Sequence, residues 1–485
     1  MIITLRANLF PQRRGHSTIK PMSNDESYQS PFSWRYGSAE MRRIWSERNK
    51  RLTWRRIWLA LAETQAEFGL VSAEQTADLR GSVECIDLPR ALQIEAEIHH
   101  DLMAELKTFA EQAPLGGAVL HLGATSTDIE DNADALRIRA GLDVILARLD
   151  DLLAALAERI EQTAAQAVMG FTHLQPAEPT TLGYRLAFYG QDLLTVRANL
   201  RRLGAQLRGK GLRGAVGTSA SYADLLGSAR LADFEQRISR RLGLEFYPVT
   251  SQVAPRLQEY HLVSELAGLA AVLSKFAIDL RFLQSPPLGE WQEPFAAKQV
   301  GSSAMPFKRN PILAEKIDSL ARLLASLPSV AWGNCAFSLL ERTLDDSANR
   351  RSLLPEAFLA AEEILLAAGR VLRGLVIHNS AVQRNLRRYA PFAATERVLM
   401  ALARRGGDRQ AMHERLRGHS LAAWQALQSG QDNPLRDSLK DDPAINALLT
   451  AEEIERLMAV EDYLGDAPQR ALALAAAIRA SLAEG

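Results

Sequence analysis

The sequence predicts an all-α fold, and three observations carry that prediction. Apolar residues recur at three- and four-residue steps over long stretches, as they do along one face of a helix. Capping-box patterns mark helix starts at Ser72…Gln75 and Thr450…Glu453, where side chains satisfy the free amides of the first turn. No alternating Val/Ile/Thr run lies between turn residues, so strand signals are nearly absent.

The predicted helices follow one another along the chain. The longest lies between 133 and 167, and its apolar stripe consists of Leu142, Ile145, Leu149, Leu152, Leu156 and Ile160. Similar stretches cover about 186–203, 259–284, 312–326 and 355–376. Helices of this length are typical of an elongated bundle whose apolar stripes partner subunits can complete.

Glycine and proline punctuation divides the chain into three predicted helical domains, at 25–120, 121–378 and 379–485. A length of 485 residues also suggests about three domains. The preceding segment, 1–24, contains four basic residues and no acidic one. It fits a transit peptide, a disordered extension or a mis-assigned start codon, since Met22 lies near its end.

Composition excludes several classes of function. Lys plus Arg and Asp plus Glu both number 57, so the zero net charge argues against a general nucleic-acid binder or an anionic-membrane protein. No uninterrupted apolar run approaches the length of a membrane span. Two cysteines, Cys85 and Cys335, supply neither a disulfide framework nor a four-thiolate metal site. They fit a reducing compartment, and we expect a cytoplasmic protein.

Five polar segments rich in glycine, proline or charge interrupt the helical pattern and hold most of the unusual chemistry. They are 99–101, 121–128, 170–176, 301–311 and 341–351. Walker-type loops, the dinucleotide-binding glycine fingerprint, zinc-type Cys/His spacing and the Gly-x-Ser-x-Gly elbow are all missing from the sequence. The chemistry of these five segments must therefore be argued from the residues themselves.

The first three segments each allow a structural and a functional interpretation. Thr125, Ser126 and Thr127 either cap the long helix or offer its free amides to a carboxylate or phosphate. His99 and His100 are adjacent, so on a helix they cannot share a metal, and ordinary histidines are the default. His173 lies in a loop, which favours a catalytic role, because loops on rigid scaffolds often carry chemistry.

The last two segments offer donors to an anion. Segment 301–311 combines small residues, two prolines and the Lys308 cation, as in a loop that lies tightly over a ligand. Segment 341–351 pairs Arg342 and Arg351 with Ser347, which suits phosphate or carboxylate. The alternative for 341–351 is a solvated helix face with internal ion pairs.

Segment 301–311 matches the Gly-Ser-Ser-x-Met-Pro-x-Lys-x-Asn-Pro signature of the fumarase/aspartase superfamily, and we call it the signature loop. Within that superfamily the chain resembles the adenylosuccinate lyase family, especially its animal type, from about Ser27 to about Ser420. The segments that carry this resemblance are 30–41, 121–126, 172–177 and 341–351.

The resemblance implies a three-domain, all-α homotetramer in which long central helices form a twenty-helix core. It also implies active sites assembled from three subunits, nucleotide substrates of low molecular weight, and no cofactor, metal, nucleic acid or membrane. The implied reaction is elimination of fumarate from adenylosuccinate and from succinylaminoimidazole carboxamide ribotide, in purine synthesis. Two alternatives stay open: another lyase of the superfamily, such as an argininosuccinate lyase, or an inactive structural relative.

The resemblance also assigns roles to residues. Ser302 resembles the catalytic base and His173 the general acid, although without the motif His173 would be the better base. Lys316 and His99 stand where the animal family carries arginines, and a lysine lacks the bidentate fork of arginine. The remaining residues resemble substrate-binding positions: Arg35, Tyr36, His100, Asp101, Thr125, Ser126, Gln252, Lys308, Arg342, Ser347 and Arg351.

Overall fold

The computed structural model describes residues 27–459 and 463–484, so the predicted extension at 1–24 lies outside the described residues. The chain begins with short helices around a small apolar core built from α2, α3, α5 and the start of the next helix. These helices are α1 (Ala39–Ile44), α2 (Glu47–Glu67), α3 (Ala73–Ser82), α4 (Leu88–Ile98) and α5 (Asp101–Gln112).

Long helices form the centre of the molecule, and the all-α prediction is confirmed. One large apolar core runs along α6, α7, α10, α11 and α12. The longest, α6, has 38 residues and therefore extends about 57 Å. The central helices are α6 (Ser126–Thr163), α7 (Leu182–Ala205), α8 (Ala220–Leu226), α9 (Leu231–Leu242), α10 (Leu257–Gln284), α11 (Ile312–Ala336) and α12 (Asp345–Gly374).

The last fifth of the chain has a separate apolar core, and its final helix returns to the centre. Residues of α13 to α17 build that core. Ala471, Ala475 and Ile478 of α18 belong instead to the central core, and Arg197 of α7 donates to the Ser481 carbonyl of α18 at 3.0 Å. These helices are α13 (Asn379–Arg404), α14 (Arg409–Gln428), α15 (Leu435–Lys440), α16 (Pro443–Asn446), α17 (Ala451–Leu457) and α18 (Ala467–Ala483).

A two-stranded hairpin interrupts the helices in a segment with little strand signal in the sequence. Strand β1 (Ala167–Thr172) pairs antiparallel with β2 (Gln175–Thr181), with a register shift at Gly170. In the sequence, the glycine and prolines of this segment argue against predicting a strand. A two-stranded ribbon tolerates them, because the edges of both strands are free. A second, very short pair joins β3 (Trp291–Gln292) to β4 (Val376–Ile377).

Segment 341–351 was expected to interrupt the helices over its whole length. In the structure only its first four residues do so. Helix α12 begins at Asp345, ten residues before the predicted stretch. Pro355 lies inside this helix, where proline normally ends a helical pattern. Among the residues that the structure describes, no helix has the length and apolar character needed to cross a membrane.

Candidate active site

A cleft of about 440 Å³ opens where α4, α5, α6 and α12 begin or end. Nine residues predicted to bind substrate line it together, although they come from four separate stretches of the sequence. They are His99, His100, Asp101, Thr125, Ser126, Gln252, Arg342, Ser347 and Arg351.

The start of α6 is fixed by a buried carboxylate. The Asp128 side chain accepts a hydrogen bond from the Thr125 amide at 3.0 Å, as the capping-box interpretation predicts. It also accepts one from the Gly214 amide and forms a fully buried ion pair with Lys210. These contacts hold Thr125 and Ser126 at the helix N-terminus, where free amides and the helix dipole favour an anion.

His99 and His100 lie in the break between α4 and α5. His99 has a positive φ of 56° and ends α4, while His100 precedes α5 as its N-cap. The His100 Nε2 atom lies 3.5 Å from the Ser126 hydroxyl. The break therefore turns one imidazole toward the residue that begins α6.

An ion pair joins α5 to α12 at the cleft. The Arg351 guanidinium lies 2.9 Å from the Asp101 carboxylate. Burial opposes ionisation of Asp101, but the nearby cations Arg351 and Lys50 outweigh it and lower the pKa of this carboxyl. Asp101 therefore remains ionised and orients Arg351.

Arg342 offers an unused donor in the same cleft. Its Nη1 atom is buried and has no hydrogen-bond partner among the described residues. An unpaired guanidinium donor in a cleft is costly unless an anion satisfies it. With Ser347 and Arg351, it forms a group of donors suited to phosphate or carboxylate.

Gln252 is held by its backbone. The Thr127 hydroxyl donates to the Gln252 carbonyl, and the Gln252 amide donates to the Glu341 carbonyl at 3.2 Å. These two hydrogen bonds fix the Gln252 backbone and so hold its side chain at the cleft.

His173 lies elsewhere, at the tip of the β1–β2 hairpin. His173 and Leu174 form the two-residue turn, with φ values of 52° and 59°. Such a turn needs positive φ at both positions and favours Asn-Gly. Here a histidine and a leucine adopt that conformation, and both side chains are exposed. Backbone strain of this kind clusters at functional sites.

The signature loop forms another part of the candidate site. The Ser302 hydroxyl oxygen accepts hydrogen bonds from the amides of Met305 at 3.1 Å and Ala304 at 3.4 Å. These donors favour negative charge on that oxygen. The loop is closed at its base, because the Asn310 side chain donates to the Gly301 carbonyl at 2.9 Å. Lys308 is exposed.

Lys316 and the segment that carries Arg35 and Tyr36 meet through one carboxylate. Glu363 forms an ion pair with Lys316 at 2.5 Å and accepts the Gly37 amide at 3.0 Å. Tyr36 packs on Phe32 with ring centroids 5.5 Å apart, and Arg35 is exposed beside Trp34. These three predicted substrate contacts therefore lie near the start of α11, outside the cleft lining.

Chain geometry keeps His173 away from the cleft of its own chain. Ser126 and Thr163 are the ends of α6, about 55 Å apart. Ten residues separate Thr163 from His173, and a fully extended chain of that length reaches about 36 Å. His173 and Ser126 of one chain are therefore at least about 20 Å apart.

The signature loop is remote from the cleft for a similar reason. The side chain of Gln284, the last residue of α10, donates to the Arg309 carbonyl in the loop at 3.0 Å. Helix α10 has 28 residues, which span about 40 Å, and it begins five residues after Gln252. The loop base and Gln252 therefore lie near opposite ends of the helix.

Four cleft residues were not predicted from the sequence: Glu95, Thr127, Glu130 and Leu344. Thr127 was considered with Thr125 and Ser126 at the helix start but was not assigned to substrate binding. Glu130 follows Ser126 by four residues, a spacing that places both on one helix face. Burial, with Asp101, Asp131 and Asp134 nearby, raises the pKa of Glu130 to about 7. The four-residue spacing from Ser126 was the signal in the sequence that could have identified Glu130 as a site residue.

Two family profiles match the chain. A profile described as Lyase covers residues 39–323, and one described as Adenylosuccinate lyase C-terminus covers residues 391–471. Two relatives are similar to this chain over most of their length. The adenylosuccinate lyase of Saccharomyces cerevisiae is 37% identical, over 93% of this chain and 94% of the relative. That of Schistosoma mansoni is 38% identical, over 87% and 89%.

Solved structures with the same fold include enzymes that are not named adenylosuccinate lyase. A 3-carboxy-cis,cis-muconate lactonizing enzyme from Pseudomonas putida has a TM-score of 0.82 and 26% identity, over 92% of this chain and 99% of that one. A fumarate lyase from Mesorhizobium sp. BNC1 has a TM-score of 0.80 and 25% identity, over 93% and 99%. Because one fold hosts several reactions, these structures show the fold and do not identify the reaction.

Proposed function

The chain belongs to the adenylosuccinate lyase family, and we propose that it releases fumarate from adenylosuccinate, giving AMP, and from succinylaminoimidazole carboxamide ribotide. This places it in purine synthesis. The observation that carries the proposal is 37% identity to the yeast adenylosuccinate lyase over 93% of the chain. The donor-rich cleft supports it, because both substrates are anionic at their phosphate and succinyl ends.

Two groups of donors suit the two ends of such a substrate. Arg342, Ser347 and Arg351 supply charged and neutral donors for one anionic group. Thr125 and Ser126 begin α6, whose N-terminus favours a second anion. A nucleotide carrying both a phosphate and a dicarboxylate can use both groups.

We assign the base to Ser302. Its oxygen removes a proton from the succinyl Cβ, and the C–H electron pair first moves into the adjacent carboxylate as an aci-carboxylate carbanion. Fixed donors must stabilise the charge that develops there. The amides of Ala304 and Met305, which already bond the Ser302 oxygen, favour its deprotonated form. Lys308 supplies a cation in the same loop.

We assign the acid to His173. As the electron pair returns to form the Cα–Cβ double bond, the bond from Cα to the purine nitrogen breaks. The imidazolium then donates its proton to that nitrogen, which leaves as the amine of AMP, while the succinyl group leaves as fumarate. Histidine is the side chain that most often carries out such a proton transfer.

We propose that three subunits of a homotetramer bring these groups together. Within one chain the cleft is separate from the hairpin tip and from the signature loop, so an active site that combines all three draws on different copies. Exposed apolar residues on α11, among them Leu323, Val330 and Trp332, support burial of this helix against partner copies. Light scattering is expected to give a mass near four times 53.5 kDa.

We propose a cytoplasmic location. Both cysteines, Cys85 and Cys335, are free thiols, which suits a reducing compartment. None of the proposed steps calls for a cofactor or metal.

A direct assay tests the proposed reaction. Purified protein is expected to convert adenylosuccinate with a change in ultraviolet absorbance and stoichiometric formation of fumarate and AMP. Argininosuccinate in a parallel reaction is expected to release no fumarate. Release from argininosuccinate alone would identify a different lyase, and turnover of neither substrate would favour an inactive structural relative.

A further inference from the structure

Glu130 lies inside the cleft that the proposed substrate contacts form. It follows Ser126 by one helical turn on α6. It also lines a smaller adjoining pocket of about 100 Å³, which shares Asp101, Arg342 and Arg351 with the cleft. A half-buried carboxyl group thus lies next to the donors assigned to the substrate.

Neighbouring acids in this region form ion pairs, whereas Glu130 does not. Asp101 is paired with Arg351 at 2.9 Å, and Asp134 with Arg350 at 2.9 Å. Among the described residues, Glu130 makes no hydrogen bond or ion pair. The unpaired carboxyl is therefore free to respond to a ligand.

Charged and titratable groups surround Glu130 on every element that lines the two pockets. The acids are Glu47 on α2, Glu95 on α4, Asp101 on α5, Asp131 and Asp134 on α6, and Asp346 on α12. The other groups are Lys50 on α2, His99 and His100 between α4 and α5, Arg137 on α6, Arg342 before α12, and Arg350 and Arg351 on α12.

The nearby ion pairs leave little cationic charge available to Glu130. Arg351, Arg350 and Arg137 are engaged by Asp101 or Asp134. Arg342 stabilises the Glu130 carboxylate, but burial and the aspartates outweigh it and raise the pKa of Glu130 to about 7. An anion bound to Arg342 would cancel even that stabilisation.

We propose that Glu130 is a substrate-binding residue that accepts a proton when the anionic nucleotide enters the cleft. This inference rests on the proposed function. An ionised Glu130 would repel the phosphate or succinyl group, whereas the neutral carboxyl donates a hydrogen bond to it. The proton comes from solvent, so binding one substrate takes up as much as one proton at this carboxyl.

The pH dependence of KM tests the proposal. Adenylosuccinate turnover is measured between pH 6 and 9 for the wild type, Glu130→Gln, Glu130→Asp and the control Glu74→Gln, an exposed acid on α3. Above pH 7, the wild-type KM is expected to rise by about tenfold per pH unit. Glu130→Gln loses that rise because glutamine does not titrate. In Glu130→Asp the rise in KM remains but begins at lower pH. In Glu74→Gln the pH dependence of KM matches that of the wild type.

A parallel KM rise in Glu130→Gln and the wild type would overturn the proposal. Wild-type turnover at pH 6 tests the proposed reaction separately, so the two failures are distinguishable. Should Glu130→Gln not fold, AMP binding to the wild type is followed by calorimetry at pH 8 in two buffers of different ionisation enthalpy. Proton uptake supports the proposal, and a value of zero overturns it.

Discussion

Asp101 and Arg351 join the first turn of α5 to α12 at the cleft, with carboxylate and guanidinium 2.9 Å apart. The contact fixes a flexible arginine before any ligand arrives. We therefore expect Asp101→Asn to weaken substrate binding, raising KM by about 10–100-fold with a smaller change in kcat. Steady-state kinetics on adenylosuccinate measures this effect.

The control for Asp101 is Asp233→Asn. It breaks a similar contact with Arg237 at 2.8 Å, but on the exposed surface of α9. Exposed ion pairs contribute little, so its KM is expected to match the wild type. Equal KM values for Asp101→Asn and the wild type would show that the ion pair does not position Arg351.

Ser302→Ala and His173→Ala are each expected to retain less than about a tenth of wild-type turnover, because each removes a proposed proton-transfer group. If these residues reach one active site from different subunits, mixing the two variants under conditions that exchange subunits restores activity. Random assembly predicts recovery of about a quarter of the wild-type rate.

The rate of the mixed sample checks that expectation. Either variant mixed with itself and treated in the same way serves as the control. A mixture no more active than its components would contradict a shared site, and a single variant with more than a tenth of wild-type turnover would contradict that residue's role.

Gly301 closes the base of the signature loop. A Cβ at this position would lie 2.1 Å from the Lys308 carbonyl oxygen, so Gly301→Ala must displace the loop. We expect kcat to fall about 10²-fold, since small displacements of catalytic groups have effects of this size. The melting temperature is expected to change little, because the displaced loop is largely exposed.

Gly81→Ala is the matched control, because a Cβ there meets no atom within 4 Å. Its kcat is expected to equal that of the wild type. A Gly301→Ala enzyme with the wild-type kcat would show that catalysis does not depend on the loop geometry.

Glu130 also affects stability through pH. Its pKa is raised to about 7 in the folded protein, so the folded state binds this proton more tightly than the unfolded state. The stabilisation is fully present below the unfolded pKa and is lost as pH rises through 7. Between pH 5 and 8, Glu130→Gln is expected to gain at most about 3 kcal/mol relative to the wild type.

Denaturant unfolding at the two pH values measures the gain in the free energy of unfolding. Glu74→Gln, which removes an exposed acid, is expected to follow the wild type over this range. If the difference in the free energy of unfolding between the wild type and Glu130→Gln did not change with pH, titration of Glu130 in this range would be contradicted.

Much of the fold followed from local sequence patterns. The long stripe around Leu149 predicts α6, and the Ser72 and Thr450 capping boxes form as expected. The hairpin and the early start of α12 did not follow, because each depends on where proline is tolerated. Pro176 lies in a strand of a two-stranded ribbon and Pro355 lies inside a helix. Tertiary packing decides whether proline is tolerated at such positions.

The candidate site was predictable where short segments carry several polar residues, as at His99–Asp101 and Thr125–Ser126. Glu130 was missed because a single glutamate on a helix is ordinary in a sequence. Its chemistry arises from the aspartates that folding brings around it. The proposed meeting of His173 with Ser302 was beyond local sequence patterns, since it would depend on contacts between chains.

The packing of α18 against α6 and α7 has a consequence for biosynthesis. Ile478 lies so close to Gly190 that a methyl group there would be 3.1 Å from it. On the ribosome, α6 and α7 emerge long before the segment that covers them. The nascent chain must carry an uncovered apolar groove until the rest has been translated, which makes the closing of this bundle a late event and a target for chaperones.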